Sequence, residues 1–252
     1  MLHRMAVWAN PMIARLAAGD SYQDENICGL VLVCAWPMPS NVKDQAAVIC
    51  KKLRDELPNE AYVYPTSTLH CTIATLRAFT HGPMNDSEIK ACVDLWKPVL
   101  DRARKSSSWP TKSIRLRMNT PTLECSAGIF HYDDIDGTIG AIREALRFSI
   151  IEAGGVPVMG SGDRTLGKPI IGAPDGEIPP HIPDIVHSTL LRWKTEPDDR
   201  MAATEAFDSV TRSWTPLDIS VERVTAVFET VPYMHMLADS DGSSAEFIWW
   251  ST

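Results

Sequence analysis

Short apolar runs of strand length alternate with longer amphipathic stripes along most of the chain, and this alternation limits the fold to a mixed α and β class. The first run, GLVLVCAW at 29–36, is nearly continuous and ends at Pro37, which predicts a buried strand. A stripe follows at steps of three and four residues (Val42, Ala46, Ile49, Leu53 and Leu57). It predicts a helix with Ser40 as its N-cap that ends at Pro58.

The same patterns predict the remaining elements. We expect strands at 68–76, 114–118, 125–132, 185–193 and 219–229, and helices that start near 85, at 134–136 and near 197. Asn85 and Glu88 have the spacing of a capping box, and a hairpin at 239–243 leads into a last strand at 247–250.

The resulting order is β-α-β-α-β, then β-α-loop-β-α-β with an added strand. It predicts an α+β fold in which two duplicated halves, about 27–120 and 121–252, form one domain. Two antiparallel-type sheets would surround a central groove, with the helices on the outside. Residues 1–26 are predicted to be an N-terminal arm.

The segment 154–183 breaks the alternation. It holds seven glycines and six prolines, so regular structure cannot extend far within it. A long loop inside a compact domain is usually functional or disordered, and the sequence does not decide which.

Composition excludes some classes of function. A net charge of -8 argues against binding of long duplex nucleic acid, whereas a small nucleotide or the end of an RNA stays compatible. No apolar run is long enough to cross a membrane. The six cysteines lack C-x-x-C spacing, which favours buried reduced thiols and a cytoplasmic location, although a nucleus or organelle is also compatible. We expect a monomer.

Two segments in corresponding strands share one pattern. LHCTI at 69–73 and VHSTL at 186–190 both contain an apolar residue, a histidine, a small residue, a threonine and an apolar residue. Because side chains alternate along a strand, His70 and Thr72 should share one face, and His187 and Thr189 should share one face of theirs. Either segment alone is more simply a solvated strand face, but the matched pair indicates a site.

The residue types indicate phosphate chemistry. Imidazole exchanges a proton near neutral pH, so one ring can deprotonate an attacking oxygen while the other protonates the leaving oxygen. The threonine hydroxyls can hold the non-bridging oxygens of the phosphate. This chemistry needs neither a metal nor another cofactor.

Paired H-x-T motifs on equivalent strands of a duplicated unit resemble the 2H phosphoesterase superfamily, which has the RNA ligase T-like fold and includes cyclic phosphodiesterases. The resemblance implies that His70 and His187 are the acid–base pair and that Thr72 and Thr189 bind the phosphate. It covers most of the chain in architecture, but its specific residues are those two segments alone.

Other candidates for substrate binding are less specific. Trp193 has the strand parity of His187 and could face the groove and stack on a base, or could be a packed rim residue. Tyr64 precedes the first motif, although Pro65 breaks the register. Arg164 and Lys168 in the loop could close over the phosphate or be solvated charges. His181, between prolines, is interpreted as a loop residue.

The sequence therefore predicts a metal-independent phosphodiesterase that opens a cyclic phosphate on a nucleotide, a nucleotide sugar or an RNA 3′ end. A non-catalytic nucleotide- or phosphate-binding module of the same fold is the alternative. A scaffold that uses the eight tryptophans as contact surface is a third hypothesis, from another class. The substrate, the product isomer and the assignment of acid and base stay open at this stage.

Overall fold

The structure, a computed structural model, describes residues 9–22, 25, 27–124, 126–236 and 247–248. Its helices are α1 (Pro11–Ala17), α2 (Ser40–Glu56), α3 (Asp86–Lys105), α4 (Thr138–Glu152) and α5 (Arg200–Thr211). Its strands are β1 (Gly29–Cys34), β2 (Ala61–Val63), β3 (Cys71–Arg77), β4 (Ile114–Met118), β5 (Thr122–Glu124), β6 (Ala127–Asp134), β7 (Val158–Met159), β8 (His181–Ile182), β9 (His187–Trp193), β10 (Leu217–Val221), β11 (Val224–Glu229) and β12 (Phe247–Ile248).

The strands form two sheets, which confirms the α+β class. The first has the order β12-β11-β1-β3-β8-β7, and the second has the order β10-β4-β6-β9-β2, with β5 also paired to β6. Every pair is antiparallel except β7 with β8. Each sheet takes strands from both parts of the chain, since β2 joins the second sheet and β11 joins the first. The duplication of two halves therefore stays a prediction.

Burial explains why the predicted elements form where they do. Every residue of β1 is buried, as expected of a strand between β3 and β11 that has apolar residues on both faces. The apolar stripes of the helices contribute to the same core: Ile49 and Leu53 from α2, and Ile142 and Leu146 from α4. The five described cysteines are buried and free, as the sequence predicts.

The N-terminal cap was predicted correctly for α3 and wrongly for α2. Asn85 accepts from the backbone N–H groups of Ser87 and Glu88, and the Glu88 carboxylate accepts from the Asn85 N–H, so the capping box of α3 is present. Ser40 is instead the first residue of α2, and Pro39 occupies the cap position without a side-chain bond.

One further prediction was wrong. The single strand expected at 219–229 is two strands, β10 and β11, which belong to different sheets. The chain passes between them at Glu222 and Arg223, so an apparently continuous strand is interrupted. The hairpin expected at 239–243 lies outside the described residues. In the described part of the chain, no helix is long and apolar enough to span a membrane.

Candidate active site

The two His-x-Thr motifs come together in one groove. His70 immediately precedes β3, and His187 is the first residue of β9, so each histidine lies where a strand of a different sheet begins. Both histidines and both threonines, Thr72 and Thr189, line the same groove, whose volume is about 410 Å³. That volume is within the range of small-molecule binding sites.

Ser188, the small residue of the second motif, joins the two motifs directly. It is almost completely buried, and its hydroxyl donates to the backbone carbonyl of His70 at 2.6 Å. The hydroxyl of Tyr132 donates to Ser188 Oγ at 3.0 Å. Since Ser188 is adjacent to His187 in the chain, this bond fixes the backbones of the two histidines relative to each other.

Arg143 on α4 strengthens the same junction. Its buried guanidinium donates from Nη2 to the carbonyl oxygens of Thr72 at 3.2 Å and Ile185 at 2.9 Å, and from Nε to that of Ile73 at 3.2 Å. It therefore connects the first motif to the segment that leads into the second. Sequence reasoning gave Arg143 no role, although an arginine beside Ile142 and Leu146 in an apolar stripe was the available signal.

The two imidazoles are in different electrostatic surroundings. Burial, together with the neighbouring His70 and Arg192, lowers the pKa of His187 to about 4. Burial also lowers the pKa of His70, in spite of its bond to the Thr68 carbonyl. Both rings are therefore neutral at pH 7 before substrate binds.

Hydrogen bonding fixes the tautomer of only one ring. His70 Nδ1 lies 2.8 Å from the carbonyl oxygen of Thr68, and a carbonyl can only accept, so Nδ1 carries the proton. The Nε2 of neutral His70 then has a free lone pair. His187 Nδ1 has no hydrogen-bond partner among the described residues, so no such bond holds the proton of His187 on Nδ1.

The expectation that Trp193 faces the groove is wrong, and a β-bulge is the reason. Gly128 of β6 pairs with Leu191, whereas the next residue, Ile129, pairs with Thr189, so β9 has one extra residue at this point. The bulge reverses the parity beyond it: Trp193 is 0% exposed in the core, and Arg192 lines the groove instead.

Of the remaining predicted site residues, two line the groove and one does not. Tyr64 lines the groove with its ring packed edge-on against His235, at 4.5 Å between centroids, and burial raises its pKa well above the usual value. Arg164 also lines the groove, in a 3₁₀ turn of the long loop. Lys168 does not line it; it is exposed, and its backbone pairs with Val156.

The long loop is a wall of the groove. Ile178, Pro179 and Pro183 from this segment line it together with His181, which belongs to β8 and pairs with Thr75 of β3. The interpretation of His181 as a simple loop residue is therefore wrong. Periodicity could not show this, because β8 has only two residues.

A strained turn forms another side of the groove. Tyr233 and Met234 have φ values of 58° and 56°, which residues with side chains rarely adopt. The carboxylate of buried Glu229 accepts from the Met234 N–H at 2.7 Å and thereby holds the turn. Burial raises the pKa of Glu229 to about 7. The turn places the Tyr233 ring 4.9 Å from the Arg192 guanidinium, which keeps Arg192 beside the groove.

A metal ion would need several ligand side chains close together. Within the described residues, no three His, Cys, Asp or Glu side chains are grouped so that they could hold a metal ion. The groove contains donors suited to an anion instead: four threonine hydroxyls, two arginines and several imidazoles.

No protein-family model matches the chain, and no curated protein does. Several solved structures are similar, among them the following two. TT0787 of Thermus thermophilus is 17% identical, with a TM-score of 0.46, over 79% of this chain and 87% of that one. Usb1 of Kluyveromyces marxianus is 11% identical, with a TM-score of 0.40, over 80% of this chain and 93% of that one. In its paired His-x-Thr motifs, which face one groove, the chain resembles the 2H phosphoesterase superfamily.

Proposed function

We propose that the chain is a phosphodiesterase that opens a cyclic phosphate on a nucleotide, a nucleotide sugar or an RNA 3′ end by two-histidine acid–base catalysis. The observation that carries this proposal is the convergence of His70, Thr72, His187 and Thr189 on one groove. The bond from Ser188 to the His70 carbonyl fixes the two motifs against each other. Preorganisation of this kind is what in-line displacement at phosphorus requires.

The tautomer of His70 suggests how the two roles are divided. With Nδ1–H held by Thr68, the lone pair of Nε2 can accept a proton from water, so we assign His70 as the general base. The water oxygen then bonds to phosphorus while one ester oxygen leaves. His187 in its protonated form donates a proton to that leaving oxygen, and Thr72 and Thr189 donate to the non-bridging oxygens.

Substitution of the histidines tests the proposal. We expect His70→Ala and His187→Ala each to reduce kcat on nucleoside 2′,3′-cyclic phosphates by about 10²–10⁴-fold, since each removes one proton transfer. The double variant should lose little more than either single variant, because the two groups act as a unit. Thr72→Val and Thr189→Val should cost about tenfold each, the loss of one hydrogen bond to a charged group.

His131→Gln is the matched control. His131 pairs with His187 across β6 and β9 but does not line the groove, so this variant should keep most of the turnover. Addition of EDTA should leave turnover unchanged. Complete loss on chelation, or full activity in both alanine variants, would contradict the mechanism.

A non-catalytic binding module is the competing outcome of the same experiment. It would give tight binding of a cyclic nucleotide with no turnover by the wild-type protein, and binding that depends on Thr72 and Thr189. The phosphate isomer released by an active enzyme would show which ester oxygen leaves.

A further inference from the structure

Four of the six histidines that the structure describes line the groove, and the two-histidine mechanism uses only His70 and His187. The other two, His81 and His181, lie beside the further part of β3. His181 pairs with Thr75, three residues beyond Thr72, which corresponds to roughly 10 Å along a strand. His81 belongs to the 3₁₀ turn that follows β3. A second polar region therefore lies along the groove from the catalytic residues.

His81 is held in an orientation that leaves one ring nitrogen without a partner. Its Nδ1 hydrogen-bonds to the carboxylate of Glu177, and Arg77 Nε lies 3.3 Å from the same oxygen. The His81 side chain is only 4% exposed, yet its Nε2 has no hydrogen-bond partner among the described residues. Buried polar atoms are rarely left unpaired, so this nitrogen is available to an atom of a bound molecule.

His181 and Arg164 line the same groove as His81. His181 Nε2 lies 2.7 Å from the carbonyl oxygen of Gly160 and donates to it, which leaves Nδ1 as the nitrogen that can meet a ligand. Arg164 lines the groove, and its guanidinium forms no ion pair in the described part of the chain. A phosphate bound here would accept hydrogen bonds from the Arg164 guanidinium and share a proton with the free ring nitrogens, His81 Nε2 and His181 Nδ1.

The charge of the groove contrasts with that of the chain. The chain has a net charge of -8, but the described side chains that line the groove include four histidines and two arginines against a single carboxyl group, that of Glu229. Glu177 faces Arg77 and His81, so its charge is compensated locally. The groove can therefore hold a second anionic group although the chain as a whole is acidic.

We propose that His81, His181 and Arg164 form a second phosphate subsite, so that the preferred substrate is a nucleotide cyclic phosphate that carries another phosphate on its 5′ side. This inference rests on the proposed function for the identity of the first phosphate. In this arrangement Glu177 orients His81, and the long loop that supplies Glu177, Arg164 and His181 determines which substrates fit.

The test compares two substrates that differ in one group, a nucleoside 2′,3′-cyclic phosphate with and without a 5′-phosphate. We expect the wild-type kcat/KM to be about tenfold or more higher for the 5′-phosphorylated substrate, the effect of a charge-assisted hydrogen bond. His81→Gln and Arg164→Ala should each raise KM for the 5′-phosphorylated substrate about tenfold more than for the substrate that lacks the 5′-phosphate, which removes most of the preference. Arg104→Ala, an exposed arginine on α3 outside the groove, is the matched control and should keep the preference.

Two results would overturn the subsite. One is a wild-type enzyme without preference for the 5′-phosphate; the other is a preference that persists in both His81→Gln and Arg164→Ala. An equal loss on both substrates would show that His81 and Glu177 only clamp the loop. Calorimetric titration with adenosine 5′-monophosphate separates this outcome from failure of the proposed function. If the protein hydrolyses no cyclic phosphate but binds this nucleotide more weakly after His81→Gln, the proposed function is wrong and the subsite is supported. If His81→Gln leaves the binding of this nucleotide unchanged, the subsite is wrong.

Discussion

The same side chain acquires different properties at 70 and 187 because its surroundings differ. At position 70 a backbone carbonyl fixes the proton on Nδ1, while at position 187 burial and nearby positive charge make the imidazolium unfavourable. A phosphate anion between the rings would reverse the second effect, since an adjacent negative charge stabilises the protonated ring. His187 is therefore an acid whose protonated form is stabilised by the bound substrate.

This predicts different pH profiles for kcat/KM and kcat. The value of kcat/KM reports the free enzyme, in which the pKa of His187 is about 4 and burial holds the pKa of the base, His70, below its ordinary value. From pH 6.5 to 8 His70 is therefore already neutral, while the fraction with protonated His187 falls as pH rises. We expect kcat/KM to fall over this range, and kcat to fall only at higher pH because bound phosphate raises the pKa. Both profiles can be measured with one nucleoside 2′,3′-cyclic phosphate.

Arg192→Gln is the informative variant for this prediction. Arg192 is one of the charges that lower the pKa of His187, so its removal should move the falling limb of kcat/KM to higher pH. A kcat/KM that instead rises through pH 6.5 to a plateau would show that His187 is not the acid.

At the scale of elements, local pattern predicted most of the fold. The bounds of β4 agree residue for residue with the prediction, and α2 and α3 begin within one residue of it, because their apolar spacing is regular. The prediction of one strand at 219–229 was wrong, because the alternation of apolar residues does not show where a chain passes from one sheet to another. The pair of His81 with Glu177 joins residues 96 positions apart, which no local pattern can reveal.

The bulge in β9 shows why the site itself was only partly predictable. Alternation along a strand correctly placed His187 and Thr189, but it assumes one residue opposite one residue. The extra residue at Leu190 reverses the parity, so alternation selected Trp193 where the structure has Arg192. In the sequence, the nearby sign of the bulge was Gly128, a glycine within the opposite strand that pairs with Leu191.

We predict that Gly128→Ala destabilises the protein and weakens substrate binding. An added Cβ would lie 2.7 Å from Phe207 Cε2 and 2.9 Å from Leu191 Cγ, both in the core. The overpacking should lower the free energy of unfolding by about 1–3 kcal/mol, measured by urea denaturation. Displacement of Leu191 should also move Arg192 and raise KM.

Gly140→Ala is the control for that substitution. Gly140 lies inside α4, and its added Cβ would have Asp134 Oδ2 at 3.9 Å as its nearest contact. It should stabilise the protein by up to about 1 kcal/mol through helix propensity. A Gly128→Ala protein as stable as the wild type would show that β9 accommodates the larger residue without the bulge as described.

At the scale of the whole molecule, the distribution of charge determines which anions can approach. The chain repels a polyanion because its net charge is -8, yet the groove holds cationic and titratable groups that favour one or two phosphates. The groove thus attracts a phosphate group locally, while the net charge of the chain repels a polyanion. A protein that follows a nucleic acid strand has the opposite arrangement, a basic surface that extends along the backbone.

The balance predicts how activity depends on RNA length and salt. For substrates that end in a 2′,3′-cyclic phosphate, we expect kcat/KM to be lower for an oligonucleotide of about 20 nucleotides than for a dinucleotide at low ionic strength, since each added phosphate is repelled. Between about 10 mM and about 150 mM salt the screening length falls from about 30 Å to about 8 Å, so this difference should shrink. An oligonucleotide with an uncharged methylphosphonate backbone should show no such recovery. If kcat/KM instead rose with length and fell with salt, the chain would have an extended basic track for RNA, and the groove would not be the sole point of contact.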